Sequence, residues 1–533
     1  MAIVQLALVA GVNADAYFSN LAFSPTDHVV VINEQPSWHG KASNLTETDT
    51  SDLLQITGNT YLCESDTSSP CSSSSRMDST SLLPVCESAL QTNCVVSMSL
   101  GTSALNMQPS TFIGMAPGPT TKGDEATGLI AGSTVGYWTN PILSSSGTNT
   151  YMTNVNLYSS HDYPEYACNQ AAGRSFGFVR KTPKIWKVCN LSASILPYSV
   201  KSGGYLQHSF QNYQYSGQQY VSDMANYPGC VWTTGTACDV LQDFPAGTIA
   251  SMTLRVSNGV GGWFRGRLQN PSLSVSAFDK KTNLITITAQ TVTVPRLNVV
   301  FPSNSTDPSV LLFCSHANQC TPTSYSQSAE DAWQSFTVIN DLRDFAKNSA
   351  SGVNTEWSFG SYAVADSNNC LTNTSSILGI VTTNSMAYES HVPIFYQGEF
   401  SYGVAGMHYM PDGLTPFKGI YDMVMADSVA RCLYNFSSAP ISGSVTVTDD
   451  SGSKQNIATT SVSDIGGWLH LAAYNFLFSN PTITVKLTQA STPTTTSTVK
   501  KVVSKTIICV KGKLIRKFTG TSPKCPSGYA LKK

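Results

Sequence analysis

With 533 residues and 41% hydrophobic side chains, the chain has apolar material for two or three domain-sized cores, since single cores stop growing near ~250–300 residues. Asp, Glu, Lys and Arg make up only 12%, about half the ~25% usual for soluble domains, so Ser, Thr, Asn and Gly solvate the surface instead. A net charge of −2 with 10% aromatics and 26 prolines argues against global disorder, a basic nucleic-acid binder and a helical cytosolic enzyme, and is the composition of a strand-rich extracellular protein.

Residues 1–16 (MAIVQLALVAGVNADA) read as the end of a secretory signal, with an apolar run followed by the small-x-small pattern Ala14-Asp15-Ala16. The basic n-region is missing, so a truncated signal peptide is expected, with a buried first strand as the alternative. Nowhere else does an apolar run reach ~18 residues, so no membrane span is expected. Residues 17–302 are expected to form an N-terminal β domain with Cys/Ser-rich loops such as SDTSSPCSSSSRMDSTS. His28–Asn33 is a short apolar run within it. Ser272–Ser276, Leu284–Thr288 and Thr291–Val294 alternate polar and apolar residues with the period of half-buried strands, and Asp279–Asn283 is the turn between the first two. A connector at 303–327 leads to a second β domain at 328–490. A helix is expected at about 329–347, opened by Ser328 with Asp331 and striped by Trp333, Phe336, Ile339, Leu342 and Phe345. That stripe reads as a face packed on a sheet in preference to a ligand groove.

An internal repeat is expected to organise the body, with chance similarity among β-rich segments as the alternative. Cys238, Phe244, an alternating strand, Gly261-Gly262-Trp263 and Asn270-Pro271 are followed in the same order by Cys432, Phe436, a second alternating strand, Gly466-Gly467-Trp468 and Asn480-Pro481. Paired glycines permit a bend or bulge at a strand start, and Trp263 and Trp468 read as core anchors, with sugar-stacking platforms as the alternative. The expected fold is mainly β: two related antiparallel β-sandwich-like domains, one notable helix (about 329–347) and a small disulfide-closed C-terminal hairpin.

Fourteen cysteines indicate an oxidising compartment, and no zinc knuckle spacing is present. Local pairing suggests Cys63–Cys71, Cys86–Cys94, Cys168–Cys189, Cys230–Cys238, Cys314–Cys320, Cys370–Cys432 and Cys509–Cys525. No nucleophile elbow, zinc helix, Walker A or dinucleotide fingerprint occurs; NGVGGWFRG at Asn258–Gly266 lacks the following helix a phosphate loop needs. Neither a cofactor nor a metal is expected, and the chain leans away from being an enzyme. Asp162 and Glu165, in SSHDYPEYACN, are weak candidates for the paired carboxylates of a glycoside hydrolase, and Asp124-Glu125 is a second acidic pair. Five N-x-S/T sequons, at Asn44, Asn190, Asn304, Asn373 and Asn435, are near the number composition alone produces.

A Thr/Pro-rich linker at 491–504 precedes a basic two-cysteine tail at 505–533. From Lys500 to Lys533 there are ten Lys/Arg and no Asp/Glu, so the remaining 499 residues carry 21 basic and 33 acidic groups, a net of −12. Cys509 and Cys525 bracket alternating apolar and basic positions, which suggests a two-stranded hairpin with one cationic face, binding through Lys511, Lys513, Arg516, Lys517 and Lys524. A merely solubilising tail is the alternative.

The tail TIICVKGK…PKCPSGY…KK resembles the C-terminal segment of many secreted actinobacterial proteins, where it follows a Ser/Thr-rich linker. The stretch from DGLTPFKGIYDMVMADSVARCLYNF through GGWLHLAAYNFLFSNPTITVKL is similar to the last β-domain of some of them. The resemblance covers about Phe400–Lys533 and implies secretion and surface association, with no catalytic residue. The expectation is therefore a secreted cell-surface or wall-associated binding or structural protein, retained non-covalently by the tail on an anionic wall or surface polymer. The alternatives are an extracellular carbohydrate-active protein, either glycan-binding module or glycoside hydrolase, and an adhesin or assembly subunit. No nucleic-acid partner is expected.

Overall fold

Two-residue alternation builds most of the body. In Ile249–Ser257 the side chains of Ala250, Met252, Leu254 and Val256 are buried while those between them are half-exposed. The computed structural model describes residues 27–33, 44–48, 60–62, 77–117, 120–161, 186–202, 214–215, 218–219, 230–234, 237–257, 259–317, 324–329, 332–362, 370–371, 376–389, 391–437, 441–448, 453–454, 459–478, 481–489, 505–512, 514–520 and 522–532. The chain divides into two compact units: a body through Ser437 that resumes at 442–488, and a second unit of 438–441 and 489–533.

Among the described residues the largest sheet has fifteen strands. Its central run is Thr459–Ile465, Trp468–Leu477, Lys418–Ala426, Ile377–Thr383, Gly262–Arg267, Ser358–Tyr362, Trp186–Ser202 and Thr150–His161. All neighbours in this run are antiparallel except Gly262–Arg267 and Ile377–Thr383, which run parallel. Ile377–Thr383 is buried at every position, as a strand covered on both faces requires. A five-stranded antiparallel sheet, in the order Gln269–Ala277, Thr282–Gln290, Ile249–Ser257, Cys94–Gly101, Met107–Pro109, contributes to the same core as the large sheet. That sandwich core contains Met252, Leu254, Ile285, Ile287, Phe264, Trp357 and Val424.

The stretches expected as separate β domains, 17–302 and 328–490, are hydrogen-bonded into this one sheet, because Gly262–Arg267 pairs with Ser358–Tyr362 on one side and Ile377–Thr383 on the other. In the two repeat copies the same division of strands between sheets recurs, with different pairings. Each GGW strand lies in the large sheet, whereas the flanking strands, Ile249–Ser257 and Gln269–Ala277 or Ile441–Thr448 and Thr482–Gln489, lie in five-stranded sheets. Trp263 is 2% exposed; Trp468 is half-buried against the sandwich core, so both anchor the interior.

The expected helix spans Ala332–Leu342, shorter than 329–347. Ser328 ends the strand Ser324–Ser328, which pairs in parallel with Asp27–Asn33 up to Asn33, while its side chain and Asp331, the expected capping pair, lie outside the described residues. Beyond Leu342 the chain closes in turns, with Lys347 and Asn348 left-handed. Ile339 and Leu342 are fully buried and Phe336 and Phe345 half-buried, on a core shared with Val30, Ile32, Leu297 and Phe301; the Trp333 side chain lies outside the described set. Two further helices, Pro308–Ala317 and Asp427–Tyr434, were not expected.

Cys86–Cys94, Cys370–Cys432 and Cys509–Cys525 are disulfide-bonded as expected. Cys314 is also disulfide-bonded, while its expected partner Cys320 lies outside the described residues. So do Cys63, Cys71 and Cys168 and the side chains of Cys189, Cys230 and Cys238. These bonds fit an oxidising compartment. No helix among the described residues is long and apolar enough to cross a membrane.

Candidate functional site

In the tail, Lys505–Lys511 and Leu514–Gly520 form an antiparallel hairpin around Gly512, whose φ of 61° suits the tight turn. A third strand, Ala530–Leu531, pairs with the other edge of Lys505–Lys511, so the unit is three-stranded and not the two-stranded hairpin expected. Cys509 is 0% exposed, and its bond to Cys525 stands where a larger unit would have a hydrophobic core.

Lys511, Arg516, Lys517 and Lys524 are all exposed; Lys513 lies outside the described residues. Arg516 stands opposite Cys509 and Lys517 opposite Ile508, so the register places Arg516 and Lys511 on one face and Lys517 on the other. The single cationic face expected from alternation is thus a cation distribution over both faces. Lys511 Nζ lies 5.9 Å from the centre of the Tyr529 ring, within cation–π range. Leu514 and Ile515, beside the turn, are 60% and 56% exposed.

The body holds a buried polar knot that sequence reading did not single out. Asp422, 0% exposed, sits in Lys418–Ala426 opposite Ala472, whose small side chain leaves room for the carboxylate between His470 and Tyr474. Asp422 Oδ1 accepts hydrogen bonds from His470 Nε2 (2.7 Å) and the Tyr474 hydroxyl (2.6 Å), and Oδ2 accepts the Asn270 backbone N–H (3.1 Å). Burial, reinforced by the charge of Asp422, pushes the Tyr474 hydroxyl far above its ordinary range, so it stays a donor. Chemically, the knot fixes the imidazole with Nε2 as donor. Its signal in the sequence was an isolated acid within the apolar run KGIYDMVMA.

A second buried carboxylate, Asp239, is 4% exposed and accepts a hydrogen bond from the Tyr137 hydroxyl. Burial pushes its carboxyl up to about 6, against the lowering effect of the Tyr137 bond. Arg267 is also fully buried: Nη1 donates to the carbonyls of Thr383 (3.1 Å) and Ser385 (2.6 Å), the guanidinium covers the Tyr388 ring at 4.4 Å, and Glu356 lies 3.9 Å from Nε.

Of the acidic candidates, Asp162 and Glu165 lie outside the described residues. Asp124 closes a turn, its carboxylate accepting the Ala126 N–H (2.8 Å) and its own N–H bonding Leu129 O, while Glu125 is exposed. Gly262–Arg267 is a strand, which removes the glycine-rich stretch as a phosphate loop. Among the described residues no group of three or more His, Cys, Asp and Glu gathers as a metal site. No protein-family model matches the chain, and no curated protein matches it in sequence.

Proposed function

We propose that the protein is an extracellular, cell-surface or wall-associated binding or structural protein held in place non-covalently by its cationic tail. The observation that carries this reading is the charge split: ten Lys/Arg without an acid in residues 500–533, against a net −12 over the rest, with Lys511, Arg516, Lys517 and Lys524 exposed on a separate compact unit. An anionic surface, for which a wall or surface polymer is the expectation from sequence, attracts such a unit and not the acidic body. The resemblance of the tail to segments of secreted actinobacterial proteins supports the same reading.

Attraction of this kind is screened, with a Debye length falling from about 8 Å at physiological ionic strength to about 3 Å at 1 M. Full-length protein should therefore sediment with isolated cell envelopes at low salt and be released as salt rises, while a chain ending at Ala490 should remain in the supernatant. Equal retention of both, insensitive to salt, would overturn the proposal.

A further inference from the structure

Charge is not the only chemistry that the tail presents. Leu514 and Ile515 adjoin the closed end of the hairpin and remain 60% and 56% exposed. A polymeric anion gives aliphatic side chains no partner, whereas a bilayer interface gives both phosphate and hydrocarbon. We infer that the hairpin tip is an attachment surface for an anionic lipid bilayer; the inference rests on the tail acting as the attachment element and names its partner.

The register supports an end-on approach. Arg516 and Lys517 lie on opposite faces of the hairpin, so a surface docked flat against either face engages only one of them. Entering tip first brings both into the headgroup layer. At about 3.4 Å per residue, Arg516 and Lys517 stand roughly 7 and 10 Å behind Leu514. Amphipathic elements settle about 5–10 Å into the headgroup and acyl boundary, so the aliphatics would reach hydrocarbon while these two cations stay level with phosphates. Lys511, paired with Leu514, carries its ammonium on a long stem that can reach back to the same layer. The absence of any Asp or Glu from 500 to 533 removes local repulsion from the anionic surface.

Withdrawing the exposed part of both aliphatics from water is worth about 30-fold in partitioning. The test uses full-length protein, sedimented with phosphatidylcholine vesicles, with vesicles containing 30% phosphatidylglycerol in phosphatidylcholine, and with polyphosphate beads. Leu514→Ser/Ile515→Ser, which keeps every charge, should lose about 30-fold in binding to the anionic vesicles and change polyphosphate binding less than threefold. Leu531→Ser alters a side chain 57% exposed but paired with Cys509, level with Arg516, and should change vesicle binding less than threefold. Leu514→Ile/Ile515→Leu should bind as the unaltered protein does, which separates lost hydrocarbon contact from a disturbed fold. Vesicle binding unaffected by the double serine variant, or strong polyphosphate binding with none to anionic vesicles, would overturn the bilayer inference and leave tail-mediated retention standing. Equal envelope retention of the chain ending at Ala490 would remove the underlying reading as well.

Discussion

Replacing Asp239 with Asn should stabilise the body at neutral pH, and the gain should fade as the pH falls toward 4. Asp239 lies in Ala237–Leu241, 4% exposed, and accepts a hydrogen bond from the hydroxyl of Tyr137, whose ring stacks on Tyr198 at 5.2 Å. Burial pushes its carboxyl up to about 6, from an ordinary carboxylate value near 3.8. Between those values the folded state holds a proton that the unfolded chain has lost, so stability rises as the pH falls through this window. Above pH 6 the folded protein carries the full cost of a desolvated carboxylate. The difference between those values corresponds to about 3 kcal/mol, taken as a ceiling. Asn keeps an acceptor for the Tyr137 hydroxyl and carries no charge, so it removes the cost without removing the bond. Asp243, whose carboxyl burial also raises, is present in both proteins and cancels from the difference. Urea unfolding of both proteins at pH 4, 5, 6, 7 and 8 should show Asp239→Asn ahead by up to about 3 kcal/mol at pH 8 and level near pH 4. A difference that does not vary with pH, or a variant less stable at pH 7, would refute the linkage.

Other substitutions probe each unit by itself. Asp422→Ala strips the acceptor from His470, Tyr474 and Asn270 and should cost about 3–5 kcal/mol, whereas His470→Ala, which leaves the other two bonds, should cost about 1–2 kcal/mol by urea unfolding. Gly266→Ala places a Cβ 2.1 Å from Ser358 O and 2.7 Å from Phe359 Cα, so the neighbouring strand must move and the body should lose about 3 kcal/mol. Cys509→Ser opens a loop of sequence separation 16, worth about 3 kcal/mol, which a unit of this size cannot replace. Hydrogen exchange should then show loss of protection in Lys505–Lys511 with body amides unchanged.

Local period was legible in the sequence and long-range register was not. Ser272–Ser276 and Leu284–Thr288 fall inside Gln269–Ala277 and Thr282–Gln290, because a half-buried hairpin writes its alternation and its turn into adjacent residues. The helix stripe was readable for the same reason, but its start was not, since Ser328 is held by a ladder to Asn33, almost three hundred residues away. Pro308–Ala317 contains the short apolar run VLLF, which suits strand or helix equally. Asp427–Tyr434 has only eight residues, and its one local sign was the Asp427–Arg431 pair, 2.8 Å apart at i,i+4 spacing. In the tail the charge was countable, whereas the division of Arg516 and Lys517 between faces depends on cross-strand register.

The repeated GGW shows how one motif supports two geometries. In the second copy Gly466 and Gly467 have φ of 62° and 84° and form the two-residue turn joining Thr459–Ile465 to Trp468–Leu477, a turn that requires left-handed backbone at both positions. In the first copy the register against Ile377–Thr383 shifts between Gly262 and Trp263, and the glycine serves a bulge. The following Asn270, left-handed at φ 51°, turns its N–H onto Asp422, the carboxylate that also holds His470 and Tyr474 on the second copy's GGW strand. One buried carboxylate thus ties the two copies together within a sheet they already share. Burying it without these three donors would be costly, so the knot selects the arrangement in which both copies are in place. Both copies of the motif accordingly lie within the same compact unit.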